Sequence, residues 1–489
     1  MNPFYFVGGI FMFPVFNTRY ALRKVDELIY LMDPYSGDYY EVDEVQLMAF
    51  RLSDGTNDIC SIARTISMPE NEVEDFFKEQ NDDGFVSINK CKLDNPINIK
   101  YVESHAPHIS DVLIEITGRC NLVCKHCFNS KLNCVEFEKQ TMSLTQIKTL
   151  INELDLLNVR RIQISGGEPL TRNDIWEIID AIDEHKIFLD VISTNATLIT
   201  PEMAKRFGER FGEYGALYIS LDGITKEAYE GLRGANTFPV IMRSFDLLEQ
   251  YGCRIFVNTM AYKGNISELE NMYEWLKSKK NIIGWRVGLP KVLGRYEEYH
   301  SHLEVEFEEV IKVFCNILKK WFTERPSLRL ELSDFFRTDA LEVGYETHAL
   351  SDHPCKYALT NASIKPNGNV VYCASMEMYP PASFGNAVES GLNNVWYGKK
   401  HMDYRRLKIA DLKTCSECRY LKLCGGGCRS NALLSYEDFL APDPRACVAM
   451  KSLEDYIIPL MPSENQKQIL ELIDRDKEFA LPTGYKKFI

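Results

Sequence analysis

The arrangement of cysteines constrains this chain more than any other feature. Thr117-Gly-Arg-Cys120-Asn-Leu-Val-Cys124-Lys-His-Cys127 puts three of them in one short stretch, and Cys355, Cys373, Cys415, Cys418, Cys424, Cys428 and Cys447 follow in the last third. Cys60, Cys91, Cys134, Cys253 and Cys315 stand singly, mostly beside apolar neighbours, and read as small buried hydrophobes. Fifteen is an odd number and cannot pair off fully. The uncharged stretch Met1 to Thr18 lacks the basic start and small-residue cleavage site of a signal peptide. It is expected to be a strand or docking segment, and the chain to be cytoplasmic. In a reducing compartment, grouped thiols are metal ligands rather than bridges.

Composition removes several classes of function. With 45% apolar and 26% charged residues over 489 positions the chain can bury sizeable cores, and its length suggests about three domains. A formal net charge of −14 argues against nucleic acid and against anionic lipid as partners. No apolar run approaches the ~20 residues that span a bilayer, so no membrane is expected either.

Three rhythms follow one another along the chain. Residues 27–32 and 38–42 alternate as a hairpin around Asp33-Pro-Tyr-Ser-Gly37. Helical stretches at 45–52, 57–66 and 70–80 come next, then a short strand at 85–88, a winged-helix pattern. Its helices lack the basic stripe of a DNA reader, whereas a peptide laid along a sheet edge needs none. From residue 111, β-branched runs at 112–116, 161–164, 189–192, 217–220, 254–257 and 283–287 alternate with helical stretches at 145–157, 173–185, 201–211 and 266–277. Repeated βα units imply a parallel sheet with chemistry at the carboxyl ends of its strands. Six units predict an α/β fold with a partial (β/α)6 barrel. From about residue 350 Pro, Gly and Cys become dense and periodicity fades. The expected plan is an N-terminal winged-helix domain at 1–100, the barrel at 101–325, a bridge at 326–349, a cysteine-rich iron-sulfur domain at 350–455 and an extension at 456–489.

The C-x3-C-x2-C loop after the first barrel strand supplies three thiolates, enough for three irons of a 4Fe-4S cube with the fourth iron open. Zinc is the competitor; His126 would be its fourth ligand, but adjacency to Cys127 makes convergence awkward. The second strand ends in Ser165-Gly166-Gly167-Glu168-Pro169, where glycines admit a ligand to the backbone and a carboxylate suits an ammonium group. Ser193-Thr194-Asn195 and Ser220-Leu221-Asp222 end the next two strands; helix capping and turn formation explain such residues equally well. Cys415, Cys418, Cys424 and Cys428 alone would suffice for one tetrahedral zinc site, which leaves three further cysteines without a role.

On these motifs the chain resembles the radical S-adenosylmethionine superfamily. The resemblance implies that Cys120, Cys124 and Cys127 form the catalytic 4Fe-4S site, whose open iron chelates S-adenosylmethionine. A 5′-deoxyadenosyl radical then abstracts a hydrogen atom. It further implies that Gly166, Gly167 and Glu168 hold the methionine amino group, that Asn195 and Ser220 meet the ribose, and that Arg233 meets a carboxylate; for Arg233 a structural ion pair is the alternative. The seven later cysteines resemble the SPASM extension with two auxiliary 4Fe-4S clusters, three clusters in all. Carried over by position, Cys355, Cys373 and Cys428 hold the first, and Cys415, Cys418, Cys424 and Cys447 the second. Some relatives have another cysteine where this chain has Asn361, so the resemblance gives the first auxiliary site three protein thiolates; its open iron would bind a thiolate of the substrate, or a water, an Asp or Glu, or one of the five solitary cysteines closes it. The N-terminal layout resembles the small domain that binds leader peptides of ribosomally made precursors.

The function these resemblances imply is a peptide maturase that grips a precursor by its leader and forms a thioether between a Cys sulfur and a carbon of another residue. Electrons would come from a low-potential donor of flavodoxin or ferredoxin type. Carbon-carbon or carbon-oxygen cross-linking, epimerisation and formylglycine formation share the same hydrogen abstraction. A redox-sensing DNA-binding regulator is the reading from a different class.

Overall fold

The computed structural model describes residues 12–106, 108–128, 141–333, 336–357, 359–376 and 382–483. Cys134 and positions 1–11 of the uncharged N-terminal stretch lie outside them. Contacts divide the chain into two compact units. The first comprises Met1–Ser110, Ile151–Arg161 and Ile179–Leu189; the second comprises Asp111–Leu150, Ile162–Ile178 and Asp190–Ile489.

In the first unit, β1 (Phe13–Phe16), β2 (Ala21–Val25), β3 (Leu28–Met32) and β4 (Tyr39–Glu41) precede helices Glu44–Leu52, Ile59–Ile66 and Glu70–Asp82. Strands β5 (Val86–Asn89) and β6 (Tyr101–Ser104) complete it. β3 and β4 form the expected hairpin, Met32 facing Tyr39 and Tyr30 facing Glu41. β2 pairs antiparallel with β3 and parallel with β6, giving the order β4-β3-β2-β6, while β1 pairs antiparallel with β5. The helices start where Asp43 and Asp58 accept from the backbone N–H groups of Gln46 and Ser61. Leu22, Ile29, Leu31, Phe50, Ile62, Val73 and Phe77 close a core between helices and sheet.

One polar network is buried in this unit. Arg23, fully buried on β2, donates to Asp155 Oδ1 at 3.1 Å, to Asn158 Oδ1 at 3.2 Å and to the Lys186 carbonyl at 3.1 Å. Lys100 donates to Asp155 as well, and to the His185 carbonyl at 2.6 Å. Burial pushes the Asp155 carboxyl up, but Arg23, Lys100 and His185 together hold it below its ordinary range. Burial lowers Lys100 in turn, against the pull of Asp155. Removing the charge with Asp155→Asn leaves Arg23 buried without its anion, and is expected to cost about 3 kcal/mol. A depressed carboxylate contributes stability that is present above the unfolded-state pKa and lost as pH falls through the folded one. Urea titrations should therefore show the difference between wild type and Asp155→Asn narrowing from pH 7 toward the acid range.

The second sheet follows the chain. β7 (Asp111–Glu115), β8 (Arg161–Ser165), β9 (Phe188–Thr194), β10 (Ala216–Ser220), β11 (Ile255–Met260) and β12 (Ile282–Gly288) lie side by side in sequence order. Helices Leu144–Leu156, Ile175–Glu184, Pro201–Phe211, Lys226–Arg233, Phe238–Gln250 and Leu269–Ser278 connect them. In register with their neighbours, β9 through β13 (Arg329–Leu332) run parallel. β14 (Phe336–Arg337) turns back antiparallel on β13. On the other side β15 (Asn361–Ile364) runs parallel to β7, followed antiparallel by β16 (Asn369–Val371) and β17 (Ser383–Asn386). The sheet thus ends at β14 and β17 without closing, an α/β fold of the partial-barrel kind expected.

Two expectations change. Regular structure does not fade at residue 350: β15 to β17 extend the same sheet, but at three to four residues each they are too short to display a period of two. Asn361 is a sheet residue opposite Asp111. Of the solitary cysteines among the described residues only Cys253 behaves as the expected buried hydrophobe, its thiol pushed by burial up to about 12. Cys60 and Cys315 are half-buried and Cys91 is exposed. Among the described residues, no helix is long and apolar enough to cross a membrane.

Candidate active site at the carboxyl ends of the strands

The loop carrying Cys120, Cys124 and Cys127 leaves β7 and is braced by the loops that follow the other strands. After β8, Gly167 donates its N–H to the Thr117 carbonyl at 2.7 Å and Glu168 to that of Arg119 at 2.8 Å. A Cβ at Gly166 would sit 2.3 Å from the Thr117 oxygen, and one at Gly167 2.3 Å from that of Arg119, so only glycine allows this approach. After β9, the Asn195 amide donates to Asn121 Oδ1 at 2.9 Å. After β12, Arg295 donates to the carbonyls of Cys127, by its N–H at 2.9 Å, and Cys124, by its guanidinium at 3.0 Å. Lys125 N–H reaches the Leu232 carbonyl at 2.9 Å, at the end of helix Lys226–Arg233.

The donors around the thiols suit anionic sulfur. Leu122 N–H lies 3.4 Å from Cys120 Sγ, the Asn195 amide 4.0 Å from it, and an Arg233 guanidinium nitrogen 3.8 Å from Cys124 Sγ. Burial nonetheless pushes the Cys120 thiol up to about 11. Metal binding must therefore displace a proton there, and the glycine cradle and N–H donors fit the thiolates of a cluster. His126 Nδ1 is closed off from solvent with no hydrogen-bond partner among the described residues, and burial followed by the Arg233 charge holds the ring down to about 3.

Glu168 is 1% exposed. Its carboxylate accepts from the Thr194 hydroxyl at 2.7 Å, the Asn195 N–H at 2.7 Å and the Leu170 N–H at 3.1 Å. Burial pushes this carboxyl up against the pull of those donors. The side chain thus ties the loops after β8 and β9 together. Arg233 meets Asp222: its Nε donates to Oδ2 at 2.5 Å, with both residues buried, and Asp222 Oδ1 accepts from Met260 N–H at 2.7 Å. The ion pair offered as one reading of Arg233 is formed with Asp222. Ser220 ends β10 in register with Asn258 of β11, whose Oδ1 is buried without a partner among the described residues. Thr194, Asp222 and Asn258 belong to this constellation; their positions at strand ends were the available signal.

The seven later cysteines gather into two neighbourhoods. Cys355 and Cys373 lie within electrostatic reach of Cys428, and burial pushes Cys373 up to about 12. Cys415, Cys418, Cys424 and Cys447 interact in the same way, with Cys424 pushed by burial up to about 12. Between Cys424 and Cys428 the chain passes from one group to the other through Gly425, Gly426 and Gly427, all at positive φ of 60°, 94° and 70°. Arg429, fully buried, turns its guanidinium onto the carbonyls of Gly426, Phe439 at 3.0 Å and Ala441 at 2.7 Å. Asp443 accepts from Cys428 N–H at 2.8 Å. Among the described residues, no three His, Cys, Asp or Glu side chains converge on a single metal-ion position.

A barrel whose strand ends gather a three-cysteine loop, a Gly-Gly-Glu run and a cysteine-rich continuation is the architecture of a radical S-adenosylmethionine enzyme, and this chain carries the domains of one. The Radical SAM superfamily profile matches residues 114–276, and the SPASM profile, an iron-sulfur cluster-binding domain, matches residues 355–419. These domains imply S-adenosylmethionine, a 4Fe-4S cluster and further iron-sulfur clusters. Among characterised proteins, the mycofactocin maturase MftC of Mycobacterium tuberculosis is 27% identical over 337 residues, 68% of this chain and 81% of its own. The AdoMet-dependent heme synthase of Methanosarcina barkeri is 25% identical, covering 70% of this chain and 96% of its own. In fold, the chain resembles Streptococcus suis SuiB, solved with its precursor peptide SuiA, at a TM-score of 0.61, 16% identity and coverage of 88% and 98%. It also resembles anSMEcpe with bound AdoMet, at a TM-score of 0.58, 19% identity and coverage of 73% and 99%.

Proposed function

We propose that this enzyme matures a ribosomally made precursor peptide by linking a Cys sulfur to a carbon of another residue. The observation that carries the reading is the neighbourhood of Cys355, Cys373 and Cys428, a group of three thiols with Asn361 in the sheet nearby in sequence rather than a fourth cysteine. A group with three protein thiolates leaves a place for a thiolate of the substrate. The mycofactocin maturase and SuiB, the latter solved with a precursor peptide, point to the same class of substrate.

In this reading Cys120, Cys124 and Cys127 hold the cluster that supplies the 5′-deoxyadenosyl radical, with Cys355, Cys373 and Cys428 holding the first auxiliary cluster and Cys415, Cys418, Cys424 and Cys447 the second. The protein's part is positioning. Gly166 and Gly167 bring the backbone close to S-adenosylmethionine, Asn195 and Ser220 face its ribose, and Arg233 keeps the cysteine loop and the loop after β10 in register. The 1–100 domain grips the leader along a sheet edge, which raises the effective concentration of the core peptide. The barrel at 101–325, the bridge at 326–349, the SPASM region at 350–455 and the extension at 456–489 complete the plan, in the cytoplasm, with a flavodoxin or ferredoxin as reductant.

The test is anaerobic incubation of the reconstituted enzyme, S-adenosylmethionine and dithionite with a Cys-containing precursor encoded beside its gene. Mass spectrometry should find the loss of two hydrogens together with one thiol, and a Cys→Ser precursor should be inert. A product that keeps its free thiol would sink the thioether and point to carbon-carbon or carbon-oxygen coupling; an unchanged mass with an inverted centre would point to epimerisation. The similarity to heme synthases supports a second reading, a porphyrin substrate. Turnover of iron coproporphyrin instead of peptide would select it.

A further inference from the structure

Lys291 lies in the loop after β12, three residues beyond its end, and has no role in the site described so far. Its ammonium nitrogen is 3.7 Å from Cys428 Sγ, within hydrogen-bond reach of sulfur. Its charge also acts on Cys373, a second member of the same group of three. Apolar groups flank it: Tyr357 and Tyr372 pack with Cys355 and Cys373 in one cluster that includes Met376 and Leu433. The other nearby cation, Arg429, has its guanidinium committed to backbone carbonyls. The Asp443 carboxylate touches both groups: it accepts from Cys428 N–H at 2.8 Å, and its charge acts on Cys415, Cys424 and Cys447.

We propose that Lys291 is a positioning residue whose ammonium group, hydrogen-bonded to Cys428, raises the reduction potential of the cluster held by Cys355, Cys373 and Cys428. The proposal rests on the reading that these cysteines hold a cluster. Reduction adds one negative charge to a group already made anionic by its thiolates. A cation at hydrogen-bond distance in a partly buried setting stabilises the reduced form more than the oxidised one. A raised potential has a use in thioether formation. When a carbon radical joins a thiolate, the new C–S bond leaves one electron over, and that electron must pass to an acceptor. A cluster next to the coupling sulfur with a raised potential accepts it.

The experiment uses the full-length chain with Cys120, Cys124 and Cys127 all replaced by Ala, so that only auxiliary clusters contribute, purified anaerobically. Iron content is measured first, and each cluster is then titrated potentiometrically by EPR. Lys291→Met should move one of the two midpoint potentials to more negative values and leave the other in place, at unchanged iron content, while Lys291→Arg stays near the parent. Both potentials unchanged in Lys291→Met would overturn the proposal. Should Lys291→Met lose iron, Lys291→Gln decides in the same way: a shift in one potential supports the assignment, and none overturns it. A parent protein that binds no iron would refute the cluster reading itself rather than the role of Lys291.

Discussion

Alanine at Cys120 is expected to abolish reductive cleavage of S-adenosylmethionine while leaving the C-terminal iron in place. The thiol sits on a loop braced by Gly167, Glu168, Lys125 and Arg295, so losing one sulfur does not collapse the loop. What is lost is one of three thiolates that a site-differentiated 4Fe-4S cluster cannot replace. Iron per chain should fall by about four atoms, with 5′-deoxyadenosine formation at background. Neither change should touch the neighbourhoods of Cys355, Cys373 and Cys428 or of Cys415, Cys418, Cys424 and Cys447, whose members interact among themselves. Iron and sulfide analysis beside a deoxyadenosine assay checks both halves. Loss of all iron would mean that the iron-sulfur sites assemble as one.

Glu168→Ala carries the second large effect. Its carboxylate accepts from Thr194, Asn195 and Leu170 in a nearly solvent-free setting, and alanine leaves all three donors without that acceptor. Each unsatisfied buried donor costs about 1–3 kcal/mol. The loops after β8 and β9 then lose their tie, and a displacement of about 1 Å at reacting groups lowers rates by ~100-fold. Deoxyadenosine formation should fall by about that factor, with a raised KM for S-adenosylmethionine. Glu168→Gln keeps the shape and one acceptor oxygen, and should recover part of both. If Glu168→Gln were as damaging as Glu168→Ala while urea stability stayed at the wild-type value, a direct contact with the methionine ammonium group would be the better account.

Much of this architecture was readable from local pattern. The hairpin at β3 and β4, the three helices behind it and six barrel strands fall within a few residues of the runs that announce them. Local signals suffice there because a strand of five to seven residues or a capped helix carries its own periodicity. The short strands β13 to β17 do not, and they were visible only once paired: β15 exists because it lies along β7, nearly 250 residues earlier in the chain, a pairing matched by the buried ion pair of Lys365 with Glu115 at 2.6 Å. β2 was missed for a related reason: Arg23 in its centre reads as a solvent-facing charge until Asp155 and Asn158 are brought to it.

The sites divide along the same line. Sequence by itself determined that this chain handles iron and sulfur, because the ligands of such a site are covalently close: three thiols on one loop, and a Cys-rich run with glycines at every turn between Cys424 and Cys428. It also placed the Gly-Gly-Glu run and the strand-end polar residues at the carboxyl ends of the strands. Tertiary structure alone decided what those polar groups are tied to. Glu168 is committed to the next loop and Arg233 to Asp222, and Lys291 reaches a sulfur 137 residues away. Such pairings depend on which strand ends converge, and convergence is a property of the folded sheet that no stretch of chain carries on its own.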